Sequence, residues 1–268
     1  MNASHRAQFL IRFGYLGHLF HGVQPQKDVP TAGGALYEHL SQAAQTPPRA
    51  LQFSARTDKG VHALMNAATC WFKKPFDAEQ FIEIISHLKT PGLLSVRAEA
   101  VPRFVHARGS AKGKHYRYVI EDNCLDAPQN IFAWQIIPSL DIFAMQNAAS
   151  QMLGQYDFSS FRAAGCSANS TIKNMYRISI RRIANSRQIH IDIIGDAFLR
   201  QMIRTMVGLF AEVGTGLRSS TEIASIIIAK DRRKAGICAP ANGLTLMQVG
   251  IDFPLGGNPL LPFFKRPD

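Results

Sequence analysis

The chain has 268 residues, 46% of them hydrophobic and 18% charged, enough to bury a core and to form two modest domains. Thirty Lys and Arg against nineteen Asp and Glu give a net charge of +11, which selects a polyanionic partner, nucleic acid before an anionic membrane surface. Cys70, Cys124, Cys166 and Cys238 form no C-x-x-C pair, so a zinc ribbon is excluded and reduced cytoplasmic thiols are expected. No apolar stretch approaches the roughly 18–20 residues needed to span a bilayer, and the N-terminus Met1–Gln8 lacks an apolar signal region.

In chain order, Phe9, Ile11, Phe13 and Tyr15 alternate as a strand, and a helix begins near Thr31 with Leu36, Leu40 and Ala43 on one side. Leu51–Arg56 and Asn66–Phe72 read as strands around a loop that holds Asp58. Asp77 with Gln80 resembles a capping box for a helix through Phe81, Ile84, Ile85 and Leu88. Leu93–Val101 closes the first half, and His115–Glu121 is a strand between the halves. The second half repeats the order: strand Ile131–Ile137, helix Asp141–Leu153 capped by Gly154, a hairpin of Met175–Ile183 and Gln188–Ile194, helix Phe198–Val213, helix Thr221–Ala229 and strand Leu244–Ile251.

Two successive split β-α-β units are the ferredoxin-like pattern. The expected fold is therefore α+β: two ferredoxin-like halves, 1–108 and 109–268, sharing a central, mainly antiparallel sheet. Helices cover one face, and the other face offers a cleft for RNA.

Four residues stand out chemically. Asp58 lies in Ala55-Arg56-Thr57-Asp58-Lys59-Gly60-Val61-His62-Ala63, a turn in which Gly60 supplies positive φ. An Asp there often only caps its own backbone, but Arg56, on the same strand face, would keep it ionised, as a nucleophile requires. Tyr116, with Tyr118, alternates with basic residues in Lys112–Tyr118, which suits stacking on an unstacked base; the plain alternative is a pair of core tyrosines. Arg204 sits in an otherwise apolar helix, an i,i+4 neighbour of Arg200, and wants a carboxylate partner such as Asp58. His62 is a general-base alternative or a hydrogen-bonded structural residue. His18 and His21 have no third ligand, so no metal is expected, and the absence of phosphate-loop and dinucleotide motifs argues against nucleotide cofactors.

The assembled motifs resemble the TruA family of tRNA pseudouridine synthases. Ala55–Ala63 is similar to the family's G-R-T-D-x-G-V-H-A, and Tyr15–Gln24 to its Y-D-G-x-x-F-x-G-W-Q. Lys114–Tyr118 matches R-x-Y-x-Y, and Tyr156–Phe161 resembles H-D-F-x-x-F. Asp196–Arg204 resembles N-A-F-x-x-x-M-V-R, and Ala239–Leu244 corresponds to A-P-x-x-G-L. Leu16, Val23, Ala55 and Lys59 depart from the pattern, as do Gly113-Lys114-His115 and Thr171-Ile172-Lys173. The resemblance implies a cofactor-free isomerase, a homodimer, and a uridine of the tRNA anticodon stem-loop as target. It makes Asp58 the catalytic aspartate and Tyr116 the tyrosine packed on the target base. Arg204 becomes the arginine that pairs with the aspartate, and Arg56 the arginine of the signature. A non-catalytic RNA-binding protein, a synthase acting on another RNA, and a ribonuclease built on His62 are the alternatives.

Overall fold

The computed structural model describes residues 8–73, 77–125 and 128–251; the N-terminal stretch 1–7 lies outside the described residues. In chain order the main elements are β1 (Gln8–Tyr15), α1 (Ala32–Ala44), β2 (Pro48–Phe53), β3 (His62–Phe72), α2 (Ala78–His87), β4 (Leu93–Val101), β5 (Ala111–Glu121) and β6 (Trp134–Gln135). They continue with α3 (Ile142–Ser150), β7 (Gly154–Asp157), β8 (Ile172–Arg182), β9 (Gln188–Gly195), α4 (Met202–Gly214), α5 (Ile223–Ala229) and β10 (Leu244–Ile251). The chain is α+β with mostly antiparallel strand pairing, and it divides into two compact units. One unit takes the described chain up to Lys112 and from Leu246; the other is Gly113–Thr245.

In the first unit, β1 lies between β4 and β3, and β2 pairs with β3, all antiparallel. This order is that of one ferredoxin-like repeat. The alternation of β1 puts Phe9 and Phe13 on one face. Phe9 meets Phe81 of α2 edge-on at 5.0 Å and Phe13 meets Phe53 at 6.0 Å, so the helices pack on the aromatic side. Thr31 caps α1 by accepting from the Gly34 amide at 3.1 Å, and Asp77 caps α2 by accepting from Glu79 and Gln80 at 3.0 Å.

The second unit repeats the logic, with strand order β5-β9-β8-β7. Tyr116, Tyr118 and Ile120 pair with Ile193, Ile191 and Ile189, which gives one continuous apolar face. Asp141 caps α3 through the Ala144 amide at 3.0 Å.

Several expected boundaries move. Strand β2 ends at Phe53 and β3 starts at His62, four residues before Asn66, because Tyr15 of β1 takes Ala63 as its register partner. Arg56 therefore lies in the loop, and strand alternation does not place it beside Asp58. The strand expected at Ile131–Ile137 shrinks to Trp134–Gln135, and α3 ends at Ser150, with Gly154 (φ +96) opening β7 instead of capping the helix. Helix α4 starts at Met202, not Phe198: Gln201 adopts φ +59, and Asp196 accepts from the Asn174 and Ala197 amides, tying the preceding segment into a turn. Arg200 thus precedes the helix and shares no helical face with Arg204. Its guanidinium donates to the Ala164 carbonyl.

Candidate active site

Asp58 occupies the connection from β2 to β3. Its carbonyl accepts from the Val61 amide at 3.2 Å, and Gly60 supplies φ +84, so the turn closes as the Asp-Lys-Gly sequence requires. Thr57 points inward and is buried, whereas Arg56 and Lys59 are exposed and Asp58 is half-buried. The loop anchors through Thr57, the buried neighbour of its acid.

That anchor is a buried neutral network. Thr57 Oγ1 is hydrogen-bonded with the Tyr15 hydroxyl at 2.7 Å. Asn66 Nδ2 donates to the same hydroxyl at 3.3 Å and to the Ala55 carbonyl at 3.0 Å, while its Oδ1 accepts from the Ala55 and Ala67 amides. Burial pushes the Tyr15 hydroxyl up to about 12, against the lowering effect of its bonds to Thr57 and Asn66. Every polar group here is neutral at physiological pH, and the network specifies one loop conformation.

The segment after β1 presses on the loop from behind. A Cβ on Gly17 would fall 2.2 Å from the Val61 carbonyl, and one on Gly22 (φ +89) 2.7 Å from the Thr57 carbonyl, so both positions need glycine. Val23 donates its amide to Thr57, and the Gly22 and Val23 carbonyls accept from Ala32 and Gly33 at the start of α1. The Tyr15–Gln24 motif is therefore the cradle of the Asp58 loop. His62 is 4% exposed and its Nδ1 accepts from the Gly17 amide at 3.0 Å, so it is a structural member of this cradle.

In the second unit, Tyr116 is 7% exposed and meets Phe198 edge-on at 5.4 Å, just ahead of α4. The opposite face of β5 carries charge. Arg117 makes a two-pronged contact with Asp192 (2.9 and 3.2 Å), and His115 Nε2 lies 2.7 Å from the same carboxylate. Burial raises the Asp192 carboxyl, but the bonds from His115 and Arg117 outweigh it and hold the group below the usual range.

Arg204 stands in the first turn of α4. Its Nε donates to the Ala239 carbonyl at 2.7 Å, and its own carbonyl accepts from the Ala239 amide at 3.0 Å. The Tyr118 hydroxyl donates to the next carbonyl, Pro240, at 2.7 Å, and a Cβ on Gly243 would strike the Tyr118 ring at 2.6 Å. Burial raises the Tyr118 hydroxyl strongly, and the nearby Arg204 charge opposes that shift. The Ala239–Leu244 motif thus wraps both side chains. Arg56 and Asp58 belong to the first unit, Tyr116 and Arg204 to the second.

Sequence reasoning missed Asn66, Glu212 and Gly208 as supports. The first two carry a signal: a lone polar residue inside an apolar strand or helix.

Residues 148–252 match the model of the tRNA pseudouridine synthase family. The chain is 33% identical over 253 residues to tRNA pseudouridine synthase A of Roseobacter denitrificans, covering 92% of this chain and 96% of the relative. It is 37% identical over 204 residues to the protein of that name from Syntrophotalea carbinolica, covering 75% and 80%. With that of Lactobacillus helveticus it shares 32% over 247 residues, covering 91% and 94%.

Proposed function

The chain belongs to the tRNA pseudouridine synthase family, and on that premise we propose that it isomerises a uridine in the tRNA anticodon stem-loop with Asp58 as its catalytic aspartate. The N1–C1′ bond breaks, the uracil turns, and C5 joins C1′; the C5 proton is lost to solvent and N1 takes one up. Product and substrate are isomers, so the reaction consumes no redox equivalent and no nucleotide. Asp58 acts on the ribose, by direct attack on C1′ or by drawing off the C2′ proton to give a glycal. Arg204 pairs with Asp58, Tyr116 packs on the freed base, and Arg56 engages the RNA. The base leaves its stack first, as chemistry on a nucleobase requires.

The observation that carries this reading is the Asp58 loop. The half-buried Asp58 sits on a loop that a buried network of neutral groups braces through its neighbour Thr57. The basic balance of +11 suits an RNA partner, and no helix among the described residues is long and apolar enough to cross a membrane. The same reading makes the protein a cytoplasmic homodimer, with Asp58 in the half 1–108 and Tyr116 and Arg204 in the half 109–268.

The test is position-resolved mass spectrometry of a tRNA transcript treated with the purified protein. Pseudouridine in the anticodon stem-loop is expected. Conversion confined to other positions would overturn the target, and no conversion in any tRNA would overturn the reaction.

A further inference from the structure

Arg204, Gly208 and Glu212 are spaced four apart on α4 and so share one helical face. All three engage a single segment, Ala235–Pro240. Arg204 brackets Ala239 with the two bonds already described. Gly208 admits the backbone of Ile237 so closely that a Cβ would lie 2.1 Å from its carbonyl oxygen. Glu212 Oε1 accepts from the Ile237 amide at 3.0 Å, and its Oε2 pairs with Arg218 Nε at 2.7 Å. Gly236 (φ +74) lies against the same carboxylate, where a Cβ would come within 2.4 Å. Arg218 and Arg232 hold the near end by donating to the Lys234 and Gly236 carbonyls.

We infer that Glu212 is a positioning residue for Arg204. By fixing the strap Ala235–Pro240 it fixes the Ala239 carbonyl, and that carbonyl sets the plane of the Arg204 guanidinium through Nε. An arginine is flexible, and a bond at Nε restricts where its two outer nitrogens point. The same strap presents the Pro240 carbonyl to Tyr118, two residues along the strand face from Tyr116. A carboxylate in an otherwise apolar helix turn, Leu209–Val213, is a poor choice for packing alone. The consequence for catalysis rests on the reading of Arg204 given above.

The experiment compares Glu212→Ala, Glu212→Gln, Arg204→Ala and the double variant Glu212→Ala/Arg204→Ala, measuring tritium release from C5-labelled tRNA. In parallel, NMR follows exchange of the Arg204 Nε–H, assigned by its loss in Arg204→Ala. Because misplacing a catalytic group by about 1 Å costs up to about 10²-fold, Glu212→Ala is expected to lower kcat about 10-fold with KM within about twofold. Its Arg204 Nε–H should exchange at least about tenfold faster. Glu212→Gln keeps an acceptor for the Ile237 amide and should recover kcat to within about threefold. The double variant should be no slower than Arg204→Ala, the non-additivity of residues acting as one unit. Gly208→Ala pushes on the strap from the helix side, so it should lower kcat and speed the exchange in the same way, which keeps the test open if Glu212→Ala does not fold. An unchanged Nε–H in the folded variants, or a full multiplicative loss in the double variant, overturns the inference. If Arg204→Ala instead keeps kcat, the reading of Arg204 fails, and the Nε–H signal still decides whether Glu212 positions it.

Discussion

The Asp58 loop and the Arg204 strap solve the same problem with opposite chemistry. The Asp58 loop is braced by hydroxyls and an amide, those of Tyr15, Thr57 and Asn66. Arg204 is braced by a strap that an ion pair, Glu212 with Arg218, holds down. A neutral brace holds the loop backbone through Thr57 and Asn66. A flexible cation needs its anchor fixed from further away, and a charge-assisted clamp, roughly twice as strong as a neutral bond, supplies that.

The contrast sets an order of effects. On the role proposed for Arg204, Arg204→Ala should lower kcat about 10²-fold, the scale of losing one preorganised electrostatic group. Tyr15→Phe leaves Asp58 in place and slackens only its brace, so about a tenfold loss of kcat is expected. It should also cost about 1–2 kcal/mol of stability in chemical denaturation, because Thr57 and Asn66 lose a buried partner. A Tyr15→Phe loss as large as that of Arg204→Ala would break the comparison.

The smallest expected effect on activity lies away from both sites, on another charged clamp of the second unit. Asp122 is buried and receives both Arg182 nitrogens at 2.6 Å and the Leu140 amide at 2.8 Å. Burial raises its carboxyl, but these bonds outweigh it and hold the group low. The folded state therefore binds this proton less readily than the unfolded chain. The stabilisation is complete above the ordinary carboxylate range and is lost as pH falls through the depressed value. Asp122→Asn should cost about 2 kcal/mol at neutral pH, less than a fully buried pair because Arg182 is partly exposed, and should leave activity within about twofold. It should also flatten the acid limb of stability read from Trp134 fluorescence in a Trp71→Phe background. An unaltered acid limb would remove the charged-clamp half of the comparison.

What the sequence makes legible follows from how local each signal is. Strands Leu93–Val101 and Leu244–Ile251 and the helix starts at Thr31, Asp77 and Asp141 are written in neighbouring residues, and the structure has them at those places. The start of α4 is not, because the apolar spacing of Phe198–Val213 cannot show that Asp196 will bind the Asn174 amide on another strand. The start of β3 depends on Tyr15, forty-eight residues before Ala63. Motif comparison singled out Asp58 and Arg204 themselves. Their supports, Asn66 and Glu212, act through partners brought close only by folding.

The most direct test of the account is Asp58→Asn, a near-isosteric change on a loop whose brace runs through Thr57. It is assayed for tritium release from C5-labelled tRNA alongside tRNA binding and thermal unfolding. A loss of at least about 10³-fold in release is expected, the scale of removing an essential reacting group, with folding intact and tRNA binding within about threefold. A folded Asp58→Asn protein that releases tritium at a near-normal rate would contradict it.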